Sequence, residues 1–190
     1  MNKRYLIIAV LVVVLLILSN TNAGKKYTAM AEDKLKDLYA SLSFYSPAQQ
    51  EKTIKAGKAL LNAGAPRNIL PIMLAQIALE TGHYKNVGSA DNNLSGIKYV
   101  GQKGATAGSP APKNEGKAPY AKYASYDDWA KDFLRILTRV GKARPLNASN
   151  PTEYAHALAL NGYYDPKGEA NYTRILNSLT PKFTLISKIL

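Results

Sequence analysis

Cysteine is absent from the chain, which excludes disulfides, thiol nucleophiles and Cys-ligated metal sites. Histidine is almost absent: His83 and His156 are the only two, too few for a multi-histidine metal centre. No metal and no cofactor is therefore expected. Acidic residues are scarce, 13 Asp+Glu against 25 Lys+Arg, and the formal net charge is +12. Such a surface favours an anionic partner. Nucleic acid is not that partner on sequence grounds, because no zinc-finger spacing, Gly-rich phosphate loop or aromatic-basic motif is present. Strand-type alternation and internal repeats are also missing, so the 190 residues read as one mainly α domain with an appended segment.

What is present begins at the N-terminus. Lys3 and Arg4 precede Leu6–Leu18, an apolar run of 13 residues, and Ser19-Asn20-Thr21-Asn22-Ala23 follows. A basic start, a short apolar run and small residues describe an export signal, with Thr21 and Ala23 as a weak cleavage site. Extended to residues 5–19, the same run approaches a minimal membrane anchor. Cleavage and anchoring both remain open. Either way the following domain is expected outside the cytoplasm, in the periplasm or beyond the cell. Loss of Lys3 and Arg4 leaves 23 basic and 13 acidic residues, a net charge of +10. Away from the cytoplasm, an envelope polymer bearing carboxylates or phosphates is the better anionic partner.

The expected organisation is a leader or anchor at 1–23, a partly helical linker at 24–44, a folded domain at 45–180 and a tail at 181–190. Ser46-Pro47-Ala48-Gln49 starts a helix that Asn62-Ala63-Gly64 stops. A second helix, from about Arg67 or Pro71 to Thr81, is apolar around most of its circumference and belongs at the domain centre. Residues 86–122 are rich in Gly, Ser, Asn and Pro and read as a long loop, with room for a short hairpin. Ser125 opens a third helix, with Trp129, Phe133, Ile136, Leu137 and Val140 on its buried face and Gly141 at its end. Asn150 opens a fourth, ended by Gly162, and Glu169–Leu179 forms a fifth. The tail carries Phe183, Leu185, Ile186, Ile189 and Leu190, which pack back on the domain rather than lie on a membrane.

Glu80 is the leading candidate for chemistry. It sits near the C-terminal end of the most apolar helix, where desolvation and the negative helix end both favour the protonated carboxyl. A carboxylic acid still protonated near neutral pH is what a glycosidase needs to protonate a leaving oxygen. Perturbed carboxylates are also structural, so position alone leaves the two readings level.

Neighbouring segments shift that balance. Leu74-Ala75-Gln76-Ile77-Ala78-Leu79-Glu80-Thr81-Gly82 and Asn92-Asn93-Leu94-Ser95-Gly96-Ile97-Lys98 resemble the glucosaminidase domain of glycoside hydrolase family 73. Tyr123-Ala124-Ser125-Tyr126 looks like the family's Tyr-Asp-Ser helix start. Gly162-Tyr163-Tyr164-Asp165-Pro166 with Tyr172 looks like its Gly-Tyr-Ala-Thr-Asp-Pro-x-Tyr segment. Thr81 stands where the family usually has Ser, and Ser95 where it has Phe.

The resemblance implies a lysozyme-like helical domain, with a long loop or short β-hairpin flanking a groove. The implied activity is hydrolysis of the β-1,4 bond after N-acetylglucosamine in peptidoglycan. Glu80 becomes the general acid by carry-over. The family's second carboxylate maps to Glu115, the only Glu in the stretch after Gly-Ile-Lys, with Asp91 a weaker substitute. Tyr163 matches the family's active-site Tyr, and Tyr164 stands where the family prefers Ala. Asn92, Asn93, Gly96, Tyr84 and Tyr164 are the expected substrate contacts. His83 reads as a rim contact, and His156 and Trp129 as structural. Glu115 would serve as base or nucleophile, or the substrate's own acetamido group would attack. Two rivals stand beside this reading: a lytic transglycosylase on the same polymer, and an inactive wall-binding module. The expected partners are peptidoglycan glycan strands, an anionic wall polymer and, if the leader is uncleaved, a membrane.

Overall fold

The computed structural model describes residues 43–85, 90–139 and 141–190. The apolar run at 6–18, nearly all of the expected linker and Val140 lie outside the described residues. Within them, five α-helices and a two-stranded antiparallel sheet form one compact unit from Phe44 to Leu190. No helix among these residues is long and apolar enough to cross a membrane.

Helix α1 spans Pro47–Asn62. Its start is a full capping box: Ser46 Oγ accepts from Gln49 N, and Gln49 Oε1 accepts from Ser46 N at 3.0 Å. Helix α2, Leu70–Glu80, buries every residue from Leu70 to Ala78. An all-round apolar helix reaches its lowest free energy with neighbours on every side. Helices α1 and α5 pack directly against it. Polar Gln76 survives at its centre because its Oε1 accepts a 2.6 Å bond from Tyr154 Oη.

Strands β1 (Ala105–Ala107) and β2 (Ala121–Tyr123) pair with Ala105 opposite Tyr123 and Ala107 opposite Ala121. An isolated antiparallel bridge pairs Lys98 with Tyr120, just before β2. Much of the glycine-rich stretch thus folds into the hairpin that its composition leaves room for. Helix α3 (Tyr126–Thr138) is capped by Ser125, whose Oγ accepts from Asp128 N at 3.2 Å. It ends at Thr138 rather than Gly141, because Arg139 turns extended at ψ 135°. Helix α4 (Pro151–Leu160) is capped by Asn150, and Trp129 of α3 stacks on Phe133 with centroids 5.4 Å apart.

Helix α5 differs from expectation. It runs from Glu169 to Ile189, past Leu179 and through Pro181. Leu176, Leu179, Phe183 and Ile186 are all buried and continue one apolar stripe across the proline. Burying Phe183 and Ile186 is worth about 1.5–3 kcal/mol each, comparable with the roughly 3 kcal/mol a helical proline costs. Arg67 then closes the helix end, donating from Nη1 and Nη2 to the carbonyls of Ser187 and Leu190. The segment expected as a separate tail is therefore the last nine residues of a 21-residue core helix, followed by Leu190.

Candidate active site

Glu80 is the final residue of α2. The chain must leave the helix there without covering the carboxyl. Gly82, His83 and Tyr84 all adopt left-handed backbone, with φ of 52°, 60° and 65°. Glycine accepts this conformation freely, whereas His83 and Tyr84 hold it at a cost. Thr81 organises the turn: its hydroxyl donates to Ile77 O at 2.7 Å and accepts from Tyr84 N at 2.9 Å. A serine could do the same, so Thr in place of the family's usual Ser keeps the chemistry.

That turn corrects two expectations. Tyr84 is buried in the core, edge-on to Tyr45, and does not reach the groove. His83 lies with Nδ1 2.7 Å from Tyr45 Oη, and its carbonyl accepts from Gln49 Nε2, which ties it to α1 rather than to the rim.

The Asn92–Lys98 loop lies across the end of α2. Asn93 is fully buried. Its Nδ2 donates to Ile97 O and Ala121 O, and its Oδ1 accepts from Ile97 N. It borders the groove, but its amide is committed to the backbone and not available to substrate. Asn92 donates to Tyr123 O and faces a different depression, between α1 and the start of α3; it is not a groove residue. Asp91 accepts from Ser109 N, braces the hairpin and does not line the groove that holds Glu80 and Glu115. Ser95 explains its own departure from the family pattern: its hydroxyl accepts a 2.9 Å bond from Trp129 Nε1, so the indole nitrogen is satisfied inside the core. Gly96 is left-handed at φ 64°, and its exposed backbone lines the groove beside Tyr120.

The groove itself encloses about 920 Å³. Glu80, Asn93, Gly96 and Tyr163 line one part of it, and Glu115 and Tyr120 belong to the hairpin wall. Glu115 ends a short 3₁₀ turn, Lys113–Glu115, in the β1–β2 connection. Its Oε2 accepts from Lys98 Nζ and Tyr120 Oη, both at 2.7 Å, and the Lys98 ammonium sits 3.8 Å from the Tyr120 ring centre. Glu80 Oε1 accepts a 2.9 Å bond from Tyr172 Oη. Tyr163 Oη makes a long 3.3 Å bond to Ser95 O and also meets the Gln76 side chain. Tyr164 does not enter this groove. It stacks on Tyr172 at 4.3 Å, donates to Ala155 O, and borders a smaller recess of about 370 Å³ on the other side of Glu80.

The two carboxyls are driven apart. Burial pushes Glu80 above the usual carboxylate range, the Tyr172 hydrogen bond opposes that rise, and the charge of Glu115 adds to it. Hydrogen bonds from Lys98 and Tyr120 hold Glu115 below its usual range. Burial first, then the bond to Glu115, pushes Tyr120 up to about 12, so the phenol stays a donor. One carboxyl of the groove is thus shifted toward its protonated form and the other toward its ionised form, a separation that suits an acid and a base.

The sequence reading missed several contributors. Tyr172 was visible only as a motif match and Lys98 only as the end of Gly-Ile-Lys. Gln102, Asp132, Arg135 and Arg139 carried no signal, since an Asp and an Arg three apart on a helix normally form a solvated surface pair. His156 is exposed and paired with Glu169 at 2.9 Å. No group of three or more acidic or histidine side chains able to hold a metal occurs among the described residues.

Comparison with known proteins agrees with the geometry. A family model, glucosaminidase, described as mannosyl-glycoprotein endo-beta-N-acetylglucosaminidase, matches residues 57–185. None of the curated protein sequences matches. Among solved structures, a peptidoglycan hydrolase from Sphingomonas sp. A1 is 23% identical with a TM-score of 0.51, over 70% of this chain and 88% of that one. The glycoside hydrolase domain of Salmonella typhimurium FlgJ is 28% identical with a TM-score of 0.49, over 81% and 91%. The match over residues 57–185 places the chain in the glucosaminidase family, and its helical fold is the lysozyme-like one.

Proposed function

We propose that this member of the glucosaminidase family hydrolyses peptidoglycan, cleaving the β-1,4 bond after N-acetylglucosamine with Glu80 as general acid. The observation that carries the reading is the half-buried Glu80 carboxyl, pushed above its ordinary range at the edge of a groove that also contains Glu115, which is held below its own. The family description supports the glucosaminidase linkage. The fold neighbour from Sphingomonas sp. A1 acts on peptidoglycan, and a net charge of +12 suits a polymer bearing carboxylates.

In this reading Glu80 gives its proton to the glycosidic oxygen as the bond to the anomeric carbon breaks. Positive charge develops on the sugar ring. The Tyr163 phenol, which lines the groove, binds the 2-acetamido group or steadies that charge. Glu115 takes a proton from the attacking water, whose oxygen bonds to the anomeric carbon. Its partial exposure supports a role with water. The liberated hydroxyl and the new reducing end then leave, and proton exchange with solvent resets both carboxyls. The domain works outside the cytoplasm, exported by the segment at 1–23.

The test is product analysis on purified peptidoglycan for the parent and Glu80→Gln. The parent is expected to release strands with N-acetylglucosamine at the reducing end, and the variant almost none. Products ending in 1,6-anhydro-muramic acid would reassign the chain as a lytic transglycosylase. Equal clearance by the variant would remove Glu80 from the chemistry.

A further inference from the structure

Asp132 is a buried acid that the reaction does not use. It lies on α3, under the groove wall, and is surrounded by donors. Tyr123 Oη donates to Oδ2 at 2.7 Å and Gln102 Nε2 to the same oxygen at 3.3 Å. Arg135 Nε donates to Oδ1 at 2.7 Å, and Arg135 Nη2 lies 2.6 Å from that atom. A buried carboxylate with this many partners is a support, because each bond offsets desolvation and fixes its donor. What it fixes is the Arg135 guanidinium. That side chain is 56% exposed, lines the groove, and spends only Nε and Nη2 on Asp132. Its Nη1 edge faces outward from the pair. One turn further on, Arg139 also lines the groove and makes no ion pair among the described residues. Lys98, the nearby hairpin cation, is already neutralised by Glu115.

The groove therefore has one end built for acid–base chemistry and a wall built to present guanidinium groups. A neutral sugar chain has no use for that wall. We propose that Arg135 and Arg139 form a specificity site for the carboxylates of the peptide stems attached to the glycan strand, with Asp132 as the positioning residue that aims Arg135. This rests on peptidoglycan being the substrate. A stem is tethered to the same strand that fills the groove, so its carboxylate arrives at high effective concentration. Guanidinium forks match carboxylates in two-point geometry, and Arg139 supplies the uncompensated charge that Arg135, neutralised by Asp132, lacks.

The experiment measures binding with the cleavage step disabled. The full chain carrying Glu80→Gln is titrated with soluble glycan strands whose stems carry free carboxylates and with the same strands whose stem carboxylates are capped as neutral amides. The expected result is tighter binding of strands with free stem carboxylates, by a ratio that falls about tenfold when Arg139→Gln is added and that shrinks with salt. Arg135→Gln is expected to lower the ratio too, and Arg135→Lys to restore part of it. Because Arg135→Gln strips Asp132 of a partner, its melting curve is recorded alongside; Arg139→Gln, whose side chain makes no ion pair among the described residues, decides the matter if Arg135→Gln unfolds. An unchanged ratio in Arg139→Gln overturns the proposal while leaving the hydrolase reading intact. Preference that follows phosphodiester-linked polymer on strands with capped stem carboxylates also overturns it. Binding of neither preparation overturns both.

Discussion

Tyr172 donates its phenolic hydrogen to Glu80 Oε1 at 2.9 Å, joining helix α5 to the end of helix α2 across 92 residues of sequence. The bond favours the ionised carboxylate, against the burial that favours the acid. Glu80 is thereby held in one orientation while still able to carry a proton.

Removing that donor shifts the balance in a predictable direction. In Tyr172→Phe, Glu80 keeps its proton to higher pH than in the parent. The competent form is the protonated one, so the alkaline limb of the kcat/KM profile moves upward. A limb that stays in place or moves down would contradict the assignment of Glu80 as acid.

Glu80→Gln is expected to lower glycan cleavage by about 10²–10⁴-fold, the usual contribution of a positioned general acid. The same variant reports on stability. The folded-state pKa of Glu80 lies above its unfolded value, so ionisation penalises the folded state once the pH rises through that window. Glutamine cannot ionise. The variant should therefore gain melting temperature relative to the parent at pH 8, with the gap narrowing at pH 4, as differential scanning calorimetry can show.

Glu115 behaves in the opposite sense. Lys98→Met or Tyr120→Phe removes a donor that stabilises its charged form, so its proton is lost only at higher pH. The acidic limb of the activity profile is expected to move upward and kcat to fall about tenfold, with little change in melting temperature because the cluster is largely solvated. A large loss of stability with an unmoved limb would make the pair structural instead.

Asn93→Ala tests the loop beside the groove. The buried amide satisfies three backbone groups, and losing it leaves several of them unpaired. A destabilisation of about 3 kcal/mol is expected, or on the order of 10 °C in melting temperature for a domain of this size. Activity at low temperature should survive better than stability, since no substrate contact is removed.

Much of this was legible in one dimension. The capping residues Ser46, Ser125 and Asn150 announce their helices because the cap bond is made within three residues. The all-round apolar character of α2 announces its central place, and with it the burial that perturbs Glu80. Both rest on interactions that span a few residues or on a simple count of apolar faces. The tertiary structure decided what depends on closure over long separations. Asn92 and Asn93 are adjacent, yet one left-handed residue at φ 53° turns Asn92 to another face while Asn93 is sealed under the hairpin. Tyr163 and Tyr164 are adjacent, yet they line different cavities on either side of Glu80. The stop expected at Leu179 failed because a proline's local cost was outweighed by Phe183 and Ile186 finding the core. The sequence thus determined which carboxyl would be buried. Which donors would touch the two carboxyls, and which arginines would face the groove, was decided only when α2, α3, α5 and the hairpin came together.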